Sequence, residues 1–120
     1  MPIALVIEDQ RETAALMESI LATRQIDVVS VERAPDGIEW MRHTKPDIVF
    51  MDLLLPEVDG FTAISIIKND DDLKHIPVIA ITAASIANTM DRLNEVGADA
   101  FVAKPFKIPE LLAVVERLLS

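Results

Sequence analysis

Short apolar runs alternate along this chain with stretches whose apolar residues recur at helical spacing, and four of the runs stop on a side chain capable of metal or phosphate chemistry. Ile3 to Ile7 runs into Glu8 and Asp9, Ile48 to Met51 into Asp52, Val78 to Ile81 into Thr82, and Ala100 to Ala103 into Lys104. Short apolar runs with polar ends predict buried strands, and the amphipathic stretches between them predict helices. The alternation is that of βα units joined by right-handed crossovers, so the expected fold is α/β, with five strands and five helices in one doubly wound parallel sheet. Open sheets of this kind bind ligands beyond the carboxyl ends of their strands. The four stops are therefore predicted to converge on one pocket.

Local signals place the elements. Asp9 followed by Glu12 reads as an acidic capping box, and Thr13, Leu16, Met17 and Ile20 then form a helical stripe. Asp27 to Glu32 alternates Val29 and Val31 with polar neighbours and fits an edge strand, whereas the purely apolar runs read as central. Asp36-Gly37 opens a short helix carrying Ile38, Trp40 and Met41, which Lys45-Pro46 ends. Asp59-Gly60 is a turn pair leading into a helix with Phe61, Ile64 and Ile67, and Pro77 opens the fourth strand. A fourth helix is expected from about Ser85 to Val96, stopped by Gly97. After Pro109, Leu111, Leu112, Val115, Leu118 and Leu119 give the last helix a broad apolar face.

Composition narrows the function classes. A chain of 120 residues that is 51% apolar, with a mean hydropathy of +0.32, fits a single domain whose sheet is covered on both faces. No apolar stretch approaches the roughly 20 residues that cross a bilayer, and Met1 to Ile7 lacks the basic segment of a signal peptide, so a cytoplasmic protein without membrane insertion is expected. Twenty acidic against eleven basic residues give a net charge of −9, which opposes direct binding to nucleic acid. Without cysteine there is no disulfide or thiolate metal site. Asp70, Asp71 and Asp72 read as a solvated loop beyond a helix end, and His43 and His75 as surface residues.

If the first and third strands are neighbours, Glu8, Asp9 and Asp52 crowd together, and three carboxylates at close range require a cation or raised pKa values. A divalent ion is implied. Magnesium fits because it takes hard oxygen ligands and binds through one or two carboxylates plus a phosphoryl oxygen. Thr82 contributes a hydroxyl and Lys104 a mobile positive charge.

These elements, in this order and at these spacings, resemble the receiver domain of two-component response regulators over essentially all 120 residues. The motifs are Glu8-Asp9, Asp52 with Pro56 and Asp59-Gly60 downstream, Thr82-Ala83, and Lys104-Pro105. The resemblance implies a single receiver domain over residues 1–120 with a (βα)5 flavodoxin-like fold and strand order 2-1-3-4-5. It implies that Asp52 accepts a phosphoryl group from a phosphohistidine on a histidine kinase or histidine phosphotransfer protein. Mg²⁺ or Mn²⁺ would be held directly by Asp9 and Asp52, through water by Glu8, and by the backbone carbonyl of Leu54. Lys104 would offset charge on the phosphoryl oxygens, Thr82 would close onto the new phosphoryl group, and Phe101 would be the switch aromatic that turns inward with it. Ala83 is small, as access to the acceptor requires, and the Lys104-Pro105 bond resembles one that is often cis. The family's usual partner face is that of helix 4, strand 5 and helix 5, where Ile86 and Val114 lie. Leu54 and Ala84 beside the site offer no water-activating group, so slow self-hydrolysis is expected. Such a chain is a signalling domain, assisting only its own phosphorylation and dephosphorylation.

Each residue also has an ordinary explanation. Asp9 alone could be a helix cap, Asp52 a turn residue, and Thr82 or Lys104 a strand end; a site explains all of them at once. For Trp40, Met90 and the leucines of the last helix, packing is the default. An aspartyl-nucleophile phosphatase of the haloacid dehalogenase type would carry a second Asp where this chain has Leu54. A flavodoxin would need a Ser/Thr/Gly-rich phosphate loop after strand one, where Glu8-Asp9-Gln10-Arg11-Glu12 would repel phosphate instead. The remaining alternative is a receiver-like protein-interaction module that acts without phosphorylation.

Overall fold

The apolar runs form the strands, β1 (Ile3–Ile7), β2 (Asp27–Val31), β3 (Ile48–Asp52), β4 (Val78–Ala83) and β5 (Ala100–Lys104). The structure, a computed structural model, describes residues 2–55, 58–83 and 89–119, with backbone alone at Ala83, Thr89 and Met90. Expectations for Pro56, Ala84, Ser85 and Ile86, and for the side chains of Ala83 and Met90, lie outside the described residues. The strands pair in parallel in the order β2-β1-β3-β4-β5, as expected. Between and after them come α1 (Arg11–Ala22), α2 (Ala34–His43), α3 (Gly60–Lys68), α4 (Thr89–Val96) and α5 (Ile108–Leu119). None of the described helices is long and apolar enough to cross a membrane.

Strand alternation divides the core in two. Leu5, Ile7, Val49, Met51, Val78 and Ala80 pack with α2, α3 and α4 on one face. Ala4, Val6, Ile48, Phe50, Ile79, Ile81 and Val102 pack with α1 and α5 on the other. Phe50 is fully buried there, and such a side chain stabilises the fold by roughly 1.5–3 kcal/mol relative to an exposed one.

Four local expectations are corrected. Asp9 does not cap α1: Gln10 occupies that position and makes no side-chain cap bond. The ladder continues one residue past β1, through Glu8 N–H to the Val31 carbonyl at 3.0 Å, so the helix starts late and leaves Asp9 in the connection. The buried stripe of α1 keeps Met17 and Ile20 but takes Ala14 and Leu21 in place of Thr13 and Leu16, and Leu16 faces outward. Helix α2 begins at Ala34, ahead of Asp36-Gly37, because Pro35 suits a first helical turn whose N–H groups have no partner. Finally, the apolar run of β5 is an edge strand; it is only half buried apart from Val102, with α5 covering the opposite side from Phe101.

Other signals act as read. Strand β2 is a half-exposed edge, and Gly97 ends α4 with φ at +86°, its N–H bonded back to the Leu93 carbonyl at 3.1 Å. His43 and His75 are exposed. In the Asp70 loop, Asp70 accepts the Asp72 N–H at 2.8 Å and pairs with Arg42 at 3.2 Å, both of which hold its carboxyl below the ordinary value.

Candidate functional site

The carboxyl ends of β1 and β3 lie side by side because Ile7 pairs with Met51, which sets Glu8 beside Asp52. Glu8, Asp9 and Asp52 each bring a carboxylate oxygen within 4.8 Å of the others. Asp9 is exposed, whereas Glu8 and Asp52 retain only 1% and 4% of their surface. Backbone donors fix the buried pair: Asp52 Oδ1 accepts the Leu54 N–H at 3.0 Å and Glu8 Oε2 accepts the Gln10 N–H at 3.3 Å.

Lys104 enters from the end of β5, where it pairs in register with Ala83. Its Nζ lies 2.7 Å from Glu8 Oε1 and 3.6 Å from Asp52 Oδ2. The short contact is an ion pair, and among the described residues Glu8 Oε1 has no other partner. Burial, reinforced by Asp52, raises the Glu8 pKa above its usual 4.5 against the opposing pull of Lys104. Burial disfavours the Lys104 ammonium, yet Glu8 and Asp52 outweigh it and raise its pKa. The cluster thus carries more negative charge than one lysine compensates.

Helix α3 braces the Asp52 side of the cluster. The Asp59 side chain accepts the Thr62 N–H at 2.8 Å and caps the helix. Gly60 lies so close beneath the site that a Cβ would stand 2.5 Å from both the Asp52 carbonyl oxygen and the Leu53 Cα. The turn pair read from sequence is therefore a docking point as well as a helix start.

Register separates the remaining residues from this group. Asp52 is in register with Ile81, which belongs to the α1/α5 core. Thr82, the next residue, therefore points toward the α3/α4 face. Phe101 pairs with Ala80 and packs half-buried on that same face. Thr82 is itself buried. Glu8, Asp52 and Lys104 thus share one side of the sheet edge, and Thr82 and Phe101 share the other. The Lys104-Pro105 bond is cis. Leu54 contributes its N–H to Asp52 while its side chain stands 74% exposed. Sequence reasoning missed the direct Glu8–Lys104 contact, for which strand-end spacing carries no signal.

The donor set suits a hard divalent cation. All three side chains offer oxygen, and three carboxylates face a single lysine. On the face of α4, β5 and α5, Leu93, Phe101, Val114 and Arg117 line a hollow of about 310 Å³. Phe101 and Val114 also border a second, of about 390 Å³.

Comparison with known proteins agrees with this architecture. The family profile described as the response regulator receiver domain matches residues 4–116. A polar-differentiation response regulator, DivK, from Brucella anthropi is 28% identical over 97% of this chain and 94% of its own. The signal receiver domain of a signal transduction histidine kinase from Syntrophus aciditrophicus is 33% identical, with a TM-score of 0.92 over 99% of this chain and 90% of that one. The receiver domain of a sensor histidine kinase from Pseudomonas aeruginosa PAO1, solved with a magnesium ion coordinated in its active-site cleft, is 25% identical, with a TM-score of 0.89 over 98% and 97%.

Proposed function

The chain belongs to the response regulator receiver domain family of two-component systems, and on that premise we propose that Asp52 accepts a phosphoryl group from a phosphohistidine on a histidine kinase or histidine phosphotransfer protein. The observation that carries this reading is the acceptor's setting: a carboxylate 4% exposed at the carboxyl edge of the sheet, among two further carboxylates and 3.6 Å from a lysine. Asp52 Oδ1 is held by the Leu54 N–H, and Oδ2 is the oxygen turned toward Lys104. Oδ2 attacks the phosphorus; a P–O bond forms and the P–N bond breaks, its electron pair leaving with the imidazole.

Magnesium or manganese, held directly by Asp9 and Asp52, through water by Glu8 and by the Leu54 carbonyl, would supply positive charge against the phosphoryl oxygens. Lys104 would add its own charge against the same oxygens. Thr82 closes onto the acyl phosphate, and Phe101, behind it on the α3/α4 face, moves inward. That movement changes the hollows on the α4, β5 and α5 face, where a downstream protein partner docks. Leu54 offers no group to activate water, which favours a long-lived phosphoryl group; a half-life of seconds would contradict this part of the reading. The domain acts in signalling, and its chemistry is limited to gaining and losing its own phosphoryl group.

Intact mass after incubation with acetyl phosphate tests the proposal. Addition of one phosphoryl group is expected with Mg²⁺ present, none with the metal chelated, and none in Asp52→Asn. An unchanged mass under every condition, or labelling that persists in Asp52→Asn, would overturn it.

A further inference from the structure

Lys104 is closer to Glu8 than to the proposed acceptor, 2.7 Å against 3.6 Å. From this we infer that Glu8 is a positioning residue, holding the Lys104 ammonium off Asp52 until a phosphoryl group arrives. The inference rests on the phosphoryl-acceptor reading and adds a resting-state role for a residue otherwise placed only near the metal.

Both ends of the contact are fixed. The Glu8 backbone is bound to the Val31 carbonyl at 3.0 Å and its Oε2 to the Gln10 N–H at 3.3 Å. These bonds leave Oε1 as the oxygen facing the lysine. Lys104 is set by its pairing with Ala83 at the end of β5. An Asp at position 8 would fall short by one methylene, about 1.5 Å, and would leave the ammonium to Asp52.

The chemical consequence concerns the nucleophile. A charge-assisted hydrogen bond from an ammonium to a carboxylate oxygen is among the stronger contacts a protein makes. Placed on Asp52 Oδ2, it would engage the electron pair that must attack phosphorus. Held by Glu8, Lys104 compensates charge in the cluster while Oδ2 keeps only a long contact. The ammonium is shared unequally between two carboxylates, so it shifts when phosphoryl oxygens bring more negative charge into reach. Lys104 then exchanges a carboxylate for the phosphoryl group.

Glu8→Gln keeps the shape of the side chain and removes its charge. At saturating MgCl₂, phosphorylation by acetyl phosphate is expected to slow by about fivefold in this variant, equivalent to about 1 kcal/mol in the barrier. In a Lys104→Ala background the same substitution should change the rate little, because the lysine through which Glu8 acts is gone. An equal slowing in both backgrounds means that Glu8 acts through the metal alone, and overturns the inference. A second measurement needs no phosphorylation. Double-mutant cycles on urea unfolding, in chelator, should give a larger coupling between positions 8 and 104, from Glu8→Gln and Lys104→Met, than between 52 and 104, from Asp52→Asn and Lys104→Met. The reverse ranking overturns the inference as well. A chain that takes no phosphoryl group in any form defeats the acceptor reading, while the chelated cycles still decide which carboxylate holds the lysine.

Discussion

Two lysines at opposite ends of the sheet meet carboxylates in different ways. At the amino-terminal edge, Lys68 at the end of α3 is 13% exposed and lies 2.7 Å from Asp99 Oδ2. It also donates to the carbonyls of Ile76 at 2.8 Å and Lys74 at 3.2 Å, and the same Asp99 oxygen accepts the Val78 N–H at 2.7 Å. Two backbone carbonyls and one backbone N–H thus fix the pair in place. At the carboxyl edge, Lys104 faces two buried carboxylates with a third nearby. The first arrangement matches one cation with one carboxylate and ties α3 to the starts of β4 and β5. The second sets three carboxylates against one lysine, a shortage of positive charge that suits a cation.

Removing each lysine should separate the two roles. Lys68→Ala leaves Asp99, about a third exposed, without its cation; breaking such a partly buried pair is expected to cost about 3 kcal/mol, read as a lower urea midpoint that Mg²⁺ does not restore. Lys104→Ala is expected to cost less, about 1 kcal/mol, with Mg²⁺ restoring the loss. It should also retain metal binding yet lose the conformational response, followed by the amide signal of Phe101 on phosphorylation. If Mg²⁺ restores both variants or neither, the contrast between the two ends fails.

Magnesium itself should stabilise the parent chain, by about 2.7 kcal/mol at a hundredfold excess over its dissociation constant. The pH dependence of the chelated protein sharpens the point. The folded-state pKa of Glu8 is raised above 4.5, so the folded protein binds more protons than the unfolded chain above that pH. Stability of the metal-free form should therefore fall as pH rises from 4.5 through the raised value, and Glu8→Gln should remove this slope. Lys104, also raised, contributes stability that is full below 10.5 and lost as pH rises through its folded value. These windows are well apart, and thermal melts across pH with and without chelator resolve them. A Glu8→Gln variant with the parent slope would show that Glu8 is not the titrating group. The smallest effect is expected at the helix that braces the acceptor: Asp59→Ala removes the cap of α3 and should cost about 1 kcal/mol in urea unfolding, with the Lys104 contacts unchanged.

Most of the fold was legible because its signals are local. Apolar runs with polar stops encode strands whose ends share an edge, and Asp59, Gly60 and Gly97 mark helix boundaries through their own side chains or backbone. The approach of Glu8, Asp9 and Asp52 followed from strand adjacency alone. What stayed hidden depends on contacts between distant segments. Asp9 satisfies the capping pattern, yet the extra ladder bond from Glu8 to Val31 delays the helix. Residues 100–103 are as apolar as a central strand, and only the strand order implied by the family resemblance puts them at the edge. The preference of Lys104 for Glu8 and the clamp of Lys68 on Asp99 are set by side-chain reach across elements, which no spacing along the chain records.

The central claim is that Asp52 carries the phosphoryl group, and chemical trapping tests it most directly. After incubation with acetyl phosphate and Mg²⁺, borohydride reduction converts an aspartyl phosphate to homoserine, which tandem mass spectrometry locates by residue. The account predicts reduction at position 52 and nowhere else, absent when the metal is chelated. Reduction at Glu8, Asp9 or any other carboxylate, with position 52 intact, would contradict it.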